Sequence, residues 1–427
     1  MSYREYPALS ERVCWTTLDN GLTVAVLPRP GFTKKIAYFV TDYGAVHTKM
    51  TLDGCEQTAP AGVAHYLEHK LFDMPGRDIS AEFASMGAHV NAFTSYDMTA
   101  YYFSCTENFD ACLQLLLEFV STPYFTEETV AKEQGIIGQE IDMTADSPET
   151  AVFENLMRAM YKNHPIHTPI LGTRQTISQI TPKVLQDCHR GFYDPSNMML
   201  CVVADVQPEQ VCAIAKRVLG TEKRACAGKQ THWQEDMTCP EALVQASMEV
   251  AMPMFQLGFK AEPLEKGEAA VHQELVAELA AEALFGESSE LYLRLYEQGM
   301  IDSSFGGGYE TVEGMAMLTA SGDARKPEAI RDAILQQAKV LVEEGISQQA
   351  FDRMKRSAMG RRIRSLDSFD ATCFRLCAYY FSGFDYFRFP AVYADIQKEE
   401  LQDFIRRVVT PQRCCLSVIT PNTQEVT

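Results

Sequence analysis

The chain is expected to fold as an α+β protein of two tandem homologous modules, each a mainly antiparallel sheet covered by helices. Three observations carry this expectation. A length of 427 residues exceeds one ordinary hydrophobic core, and two domains of about 200 residues each are the natural division. Strand patterns with hairpin turns are mixed with amphipathic helical patterns, as in a layered α+β arrangement. The second half also repeats the first. Phe125-Thr126-Glu127-Glu128 before a long helical stretch matches Ile346-Ser347-Gln348-Gln349 before another. Ile180 to Asp187, then Pro195-Ser196-Asn197 and an apolar run, matches Ile396 to Asp403, then Pro411-Gln412-Arg413 and Cys414 to Ile419. The expected division is a first module over residues 1–220, a polar linker over 221–239 and a second module over 240–427.

Taken in order, Thr17 to Pro28 reads as a hairpin with an Asn20-Gly21 turn beside an alternating β-branched strand. Lys35 to Val40 is a second strand, and a helix follows the Gly/Pro-containing entry Thr58 to Gly62. A short helix near Ile79 precedes two strands, His89 to Thr94 and Met98 to Cys105. Asn108 to Val120 places Phe109, Cys112, Leu113, Leu116 and Val120 on one helical face. Helices follow over Thr126 to Met143 and Thr181 to Phe192, and Met198 to Ala204 reads as a buried strand. Gly306-Gly307-Gly308 lacks the Lys-Ser/Thr of a phosphate loop and reads as a flexible or close-packed turn at a strand start. The basic run Lys355 to Arg364 reads as the solvated face of a helix, with an interface role as the alternative.

Hydrophobic content of 46% with 22% charged residues is that of a folded globular protein. A net charge of −19 argues against nucleic-acid binding, which needs a basic footprint. No secretory signal is visible near Met1, and no apolar run reaches bilayer length, so no membrane association is expected. The thirteen cysteines are odd in number and contain no Cys-x-x-Cys. Reduced, mostly buried thiols in a cytoplasmic protein are expected.

Within the first module, Gly62 to Phe72 contains His65-x-x-Glu68-His69. On a helix these three side chains share one face, because positions i, i+3 and i+4 are neighbours. Imidazoles one turn apart can grip one zinc ion, and the glutamate between them can reach a water on that metal. An amphipathic helix with two incidental histidines is the plainer reading of the same residues. A catalytic zinc needs three protein ligands and an open position. Glu133 and Glu140 stand seven apart on one helix with Ile136 and Ile137 between them, which makes them candidates. From pattern alone an exposed acidic face accounts for them equally well.

Together with Gly62 to Phe72, four further segments resemble the insulinase/pitrilysin family of zinc peptidases, the inverzincin group that includes mitochondrial processing peptidase. These are Gly87 to Ser104, Lys132 to Glu140, His164 to Gly172 and Asp194 to Val203. The resemblance implies zinc as cofactor, with His65, His69 and Glu140 as ligands and Glu68 as general base. Glu133 matches a nearby carboxylate that supports the site without binding metal. Asn91, Ala92 and Phe93 match an edge strand that pairs with an extended peptide substrate, a mode that reads backbone more than side chains. The implied activity is zinc-dependent endopeptidase action on unstructured peptides or small precursors. The alternative is a non-catalytic, core-type structural or interaction subunit.

The second module looks degenerate. Its helix at the matching place contains His272 but no His-x-x-Glu-His, and aligning Phe125 with Ile346 sets Arg361 opposite Glu140 and Met354 opposite Glu133. Many family members carry an Arg and a Tyr in this module that reach over the active site. Here, anchored on Gly299, Leu295 and Asp302 occupy those places and Arg294 is one position off. The family closes its peptide chamber with twice the modules this chain supplies. The resemblance therefore implies a heterodimer with a metal-less paralogue, or a homodimer.

Overall fold

The computed structural model describes residues 1–223 and 225–422. They form two compact units. Unit 1 comprises Met1–Ile141, Pro169–Gln230 and Ile363–Arg388, and unit 2 comprises Asp142–Thr168, Thr231–Arg362 and Phe389–Thr427.

Unit 1 is built on seven strands: β1 (Ser2–Tyr6), β2 (Glu11–Thr17), β3 (Thr23–Pro28), β4 (Lys35–Thr41), β5 (His89–Thr94), β6 (Thr99–Cys105) and β7 (Met198–Ala204). Their order across the sheet is β1-β2-β3-β7-β4-β6-β5. Only β3 and β7 run parallel; the other neighbours are antiparallel. The turn into β3 is set at Asn20, whose side-chain oxygen accepts from the Leu22 N–H at 3.1 Å, and the Leu18 N–H donates to the Leu22 carbonyl. β7 is apolar at every position and fully buried, which suits a central strand covered on both faces. Leu200, Val202 and Ala204 face a core shared with Leu67, Leu71, Leu113, Leu116, Leu185 and Phe192. The helix Phe369–Phe381 packs on β7 and β4, with Cys373 against Cys201. β5 closes one end of the sheet as an edge strand.

Unit 2 has five strands: β8 (Leu243–Met248), β9 (Met254–Ala261), β10 (Gly306–Val312), β11 (Met315–Asp323) and β12 (Cys414–Pro421). They lie in the order β8-β12-β9-β11-β10, again with a single parallel pair, β8 and β12. This reproduces β3-β7-β4-β6-β5 of unit 1, so the internal repeat is a repeat of topology. The three glycines expected at a strand start begin β10 itself.

The repeat carries an exchange that linear boundaries do not express. The helix Pro148–Met160 packs on β8, β9 and β12 in unit 2, whereas Phe369–Phe381 packs in unit 1. Both helices have 13 residues. Each is capped by a serine, Ser147 or Ser368, whose hydroxyl accepts from the backbone three residues on. Each unit thus buries a helix drawn from the other half of the sequence. The expected linker also contributes structure, since Gly228–Lys229 adds a short strand to the hairpin Lys49–Leu52 and Cys55–Thr58. The basic run differs from its expected solvated role at Arg362, which is 7% exposed and ion-paired.

Candidate metal centre

The motif residues fold into helix α1 (Val63–Leu71). Its entry depends on two glycines. Gly62 precedes the helix at φ +93°, and a Cβ there would lie 2.4 Å from the Leu171 carbonyl oxygen. Gly172, at φ +71°, makes the reciprocal approach to Ala61 at the same distance. Left-handed backbone and missing side chains let these loops touch, which fixes the start of α1. The candidate third ligand lies on helix α2 (Glu127–Ala145), anchored in the core by Val130 and Ile137. The buried Tyr66 hydroxyl of α1 donates to the Val130 carbonyl of α2, tying the two helices together one turn before Glu133.

His65 and His69 converge on Glu140. The His65 Nε2–Glu140 Oε1 separation is 3.7 Å, and His69 Nε2–Glu140 Oε2 is 3.5 Å. One ligand atom from each residue lies within 4.8 Å of the others, the only such set among the described residues. The separations are long for direct hydrogen bonds. They approach the edge of a zinc tetrahedron, about 3.3 Å for bonds of about 2.0–2.1 Å. Two imidazoles and a carboxylate are also a donor set that suits zinc.

Glu133 stands outside this set. Its Oε1 pairs with His69 Nδ1 at 2.9 Å. With a proton on Nδ1 the His69 Nε2 lone pair is left toward Glu140, as in carboxylate–histidine–metal relays. His65 Nδ1 is buried without a protein partner. Burial, with the nearby His69 charge, pushes the His65 pKa down to about 3, so this ring stays neutral as a ligand must. Burial acts the same way on His69, but the bond and charge of Glu133, with Glu140 and Glu68, outweigh it and raise its pKa.

Glu68 lies one residue from His69 and offers no ligand atom to the set. Burial raises its pKa, opposed by a hydrogen bond from Thr94 and by His69. The Thr94 hydroxyl donates to Glu68 Oε2 at 2.6 Å. Thr94 was not among the residues singled out from sequence, although it directly follows Asn91, Ala92 and Phe93. Those three lie on β5, with Asn91 exposed and Ala92 and Phe93 half-buried. The Asn91 side-chain oxygen accepts from the Ala92 N–H at 2.8 Å. Ala92 packs toward the core, whereas Phe93 meets Phe374 of the helix Phe369–Phe381 at 5.8 Å between ring centroids.

Residues 55–174 match the family described as insulinase (peptidase family M16), and residues 179–358 match the peptidase M16 inactive domain. The chain belongs to the insulinase (M16) family. It is 34% identical over 426 residues to YmfH of Bacillus subtilis, named an uncharacterized zinc protease, covering 98% of each protein. It is 26% identical over 375 residues to the mitochondrial-processing peptidase subunit beta of Caenorhabditis elegans, covering 84% of this chain and 78% of that one. An M16-like peptidase from Alicyclobacillus acidocaldarius superposes with a TM-score of 0.93 at 30% identity, over 98% of this chain and 100% of the other. The two-domain α+β architecture is that of M16 proteins, and zinc is the cofactor. No helix among the described residues is long and apolar enough to cross a membrane.

In unit 2 the corresponding residues do other work. Met354 is buried, and Arg361 pairs with Glu282 of the helix Glu268–Phe285 at 3.2 Å. Arg362 binds Glu274 at 3.1 Å and Glu278 at 2.6 Å on the same helix. His272 pairs with Glu400 at 2.6 Å. Guanidinium–carboxylate pairs thus join these two helices of unit 2.

Proposed function

We propose that this M16 protein is a zinc-dependent endopeptidase hydrolysing unstructured peptides or small precursors, with Glu68 as general base. The observation that carries the proposal is the convergence of His65, His69 and Glu140, with Glu68 one turn away and hydrogen-bonded to the end of an edge strand. His65, His69 and Glu140 would hold the metal, and Glu133 would keep the His69 proton at Nδ1. Bound zinc supplies Lewis acidity, polarising the scissile carbonyl and making water more acidic. Glu68 takes the proton of the attacking water and returns it to the leaving amine. Its raised pKa moves toward neutrality, the direction required of a group that serves as base and then as acid. Asn91, Ala92 and Phe93 of β5 offer an unpaired edge to an extended peptide backbone.

Retention of a base beside three ligands favours this reading over a core-type scaffold, which needs neither. We further propose that the working species is a dimer, either with a metal-less paralogue or with a second copy. The missing Arg/Tyr pair supports the paralogue, since a second copy would lack it too. Leu295 is buried, and Asp302 is engaged by the Ser304 hydroxyl at 2.6 Å and its N–H at 2.8 Å. Peptide cleavage by the chain alone and mixed with a metal-less paralogue tests the heterodimer, and full activity alone would count against it. Glu68→Gln should retain zinc and lose peptide cleavage. Near wild-type turnover by that variant would remove Glu68 from the role of base.

A further inference from the structure

We infer that Thr94 is a positioning residue that locks the Glu68 carboxylate in its working orientation and couples it to the peptide-docking strand. Thr94 is the last residue of β5, and its hydroxyl donates to Glu68 Oε2 at 2.6 Å. That bond occupies one carboxylate oxygen and leaves Oε1 free to face a reacting water. It also fixes the distance along the strand between the paired peptide backbone and the base.

Thr94 can serve as a reference point because its own position is heavily constrained. It pairs with Thr99 of β6 where the chain reverses. In that reversal the Ser95 N–H donates to the Met98 carbonyl at 2.8 Å, and the Ser95 hydroxyl to Asp97 at 2.9 Å. The loop is clamped from outside as well, since the Ala45 and Val46 N–H groups donate to the Ser95 and Tyr96 carbonyls at 3.0 and 2.9 Å. Gly44 allows this approach, because a Cβ there would lie 2.6 Å from the Asp97 nitrogen. A side chain hung on such a turn keeps its place when substrate arrives. Glu68 is half-buried and its carboxylate is held by the Thr94 hydroxyl, so a valine methyl in place of that hydroxyl would free the carboxylate to rotate.

The inference rests on Glu68 acting as base, and the test separates the two. In the assembly that turns over peptide, Thr94→Val should lower kcat by about 10–100-fold while KM stays within about twofold and zinc content is unchanged. Thr94→Ser, which keeps the hydroxyl, should restore kcat to within about threefold of wild type. Crystal structures of the metal-free proteins give a readout independent of turnover: one Glu68 rotamer in wild type, and a carboxylate turned from that place in Thr94→Val. Wild-type kcat in Thr94→Val, a loss confined to KM, an equal defect in the serine variant, or an unmoved Glu68 would each overturn the inference. Loss of cleavage in Glu68→Gln alongside an unaffected Thr94→Val would sink this inference alone. Cleavage by Glu68→Gln would instead sink the reading beneath it.

Discussion

Replacing Glu133 by alanine should weaken zinc binding without removing a ligand. Glu133 reaches the proposed ligands through His69 Nδ1, at 2.9 Å, with the two side chains 14% and 26% exposed. Loss of such an outer carboxylate typically costs 10–100-fold in metal affinity, or about 1.4–2.7 kcal/mol. A charge-assisted hydrogen bond contributes about 1.5–3 kcal/mol by an independent route, and the two ranges overlap. The sign of one opposing term can be worked out. Glu133 raises the pKa of metal-free His69, so in wild type a proton competes with zinc to a higher pH than in the variant. Removing Glu133 relieves that competition, and the affinity gap should therefore narrow on acidification. The full loss is expected above the raised pKa of His69, where that proton no longer competes in either protein. Competitive titration against a chromogenic chelator measures it, and Glu133→Gln should fall between wild type and alanine. An unchanged zinc affinity in a folded Glu133→Ala protein would refute the relay.

Two further outcomes concern stability. Arg362→Ala should destabilise the protein by about 2–3 kcal/mol in chemical denaturation, because it removes the cation between the Glu274 and Glu278 carboxylates, which stand one turn apart. Combining Arg362→Met with Glu274→Leu and Glu278→Leu should recover most of that loss, and no recovery would contradict the pairing account. His164 is fully buried, its Nδ1 accepting from the Ile166 N–H at 3.1 Å and its Nε2 donating to the Glu313 carbonyl at 2.8 Å. Burial lowers its pKa from 6.5 to about 4, so between those values the unfolded chain binds the proton more readily than the folded one. The stability held above pH 6.5 should fall as pH drops toward 4, by up to about 3 kcal/mol from this residue. His164→Gln should reduce the pH slope of unfolding free energy in that window by about one proton, and an unaltered slope would disprove the assignment.

Local patterns were legible wherever a short stretch carries its own instruction. His65, Glu68 and His69 share a face because a helix repeats every few residues, and that much follows from order alone. The wholly apolar Met198–Ala204 reads as a buried strand, and the repeated segments around Phe125 and Ile346 pointed to two related modules in tandem. Family resemblance added Glu140 and Glu133, which by pattern alone were indistinguishable from an exposed acidic face.

Relations between distant segments were decided only by the tertiary structure. That Glu133 meets His69 Nδ1 while Glu140 meets both Nε2 atoms depends on how α2 is seated against α1, through Tyr66, Val130 and the paired glycines 62 and 172. Thr94 carries no motif; its hydroxyl matters because the end of β5 comes to rest beside α1. The exchange of Pro148–Met160 and Phe369–Phe381 between units was equally hidden, since an amphipathic helix encodes an apolar face but not which of two similar sheets will cover it. By itself the sequence determined the elements, the doubled plan and the shared helix face of His65, Glu68 and His69. Packing decided the rest, because side-chain periodicity is a local property and the partner of a buried face is not.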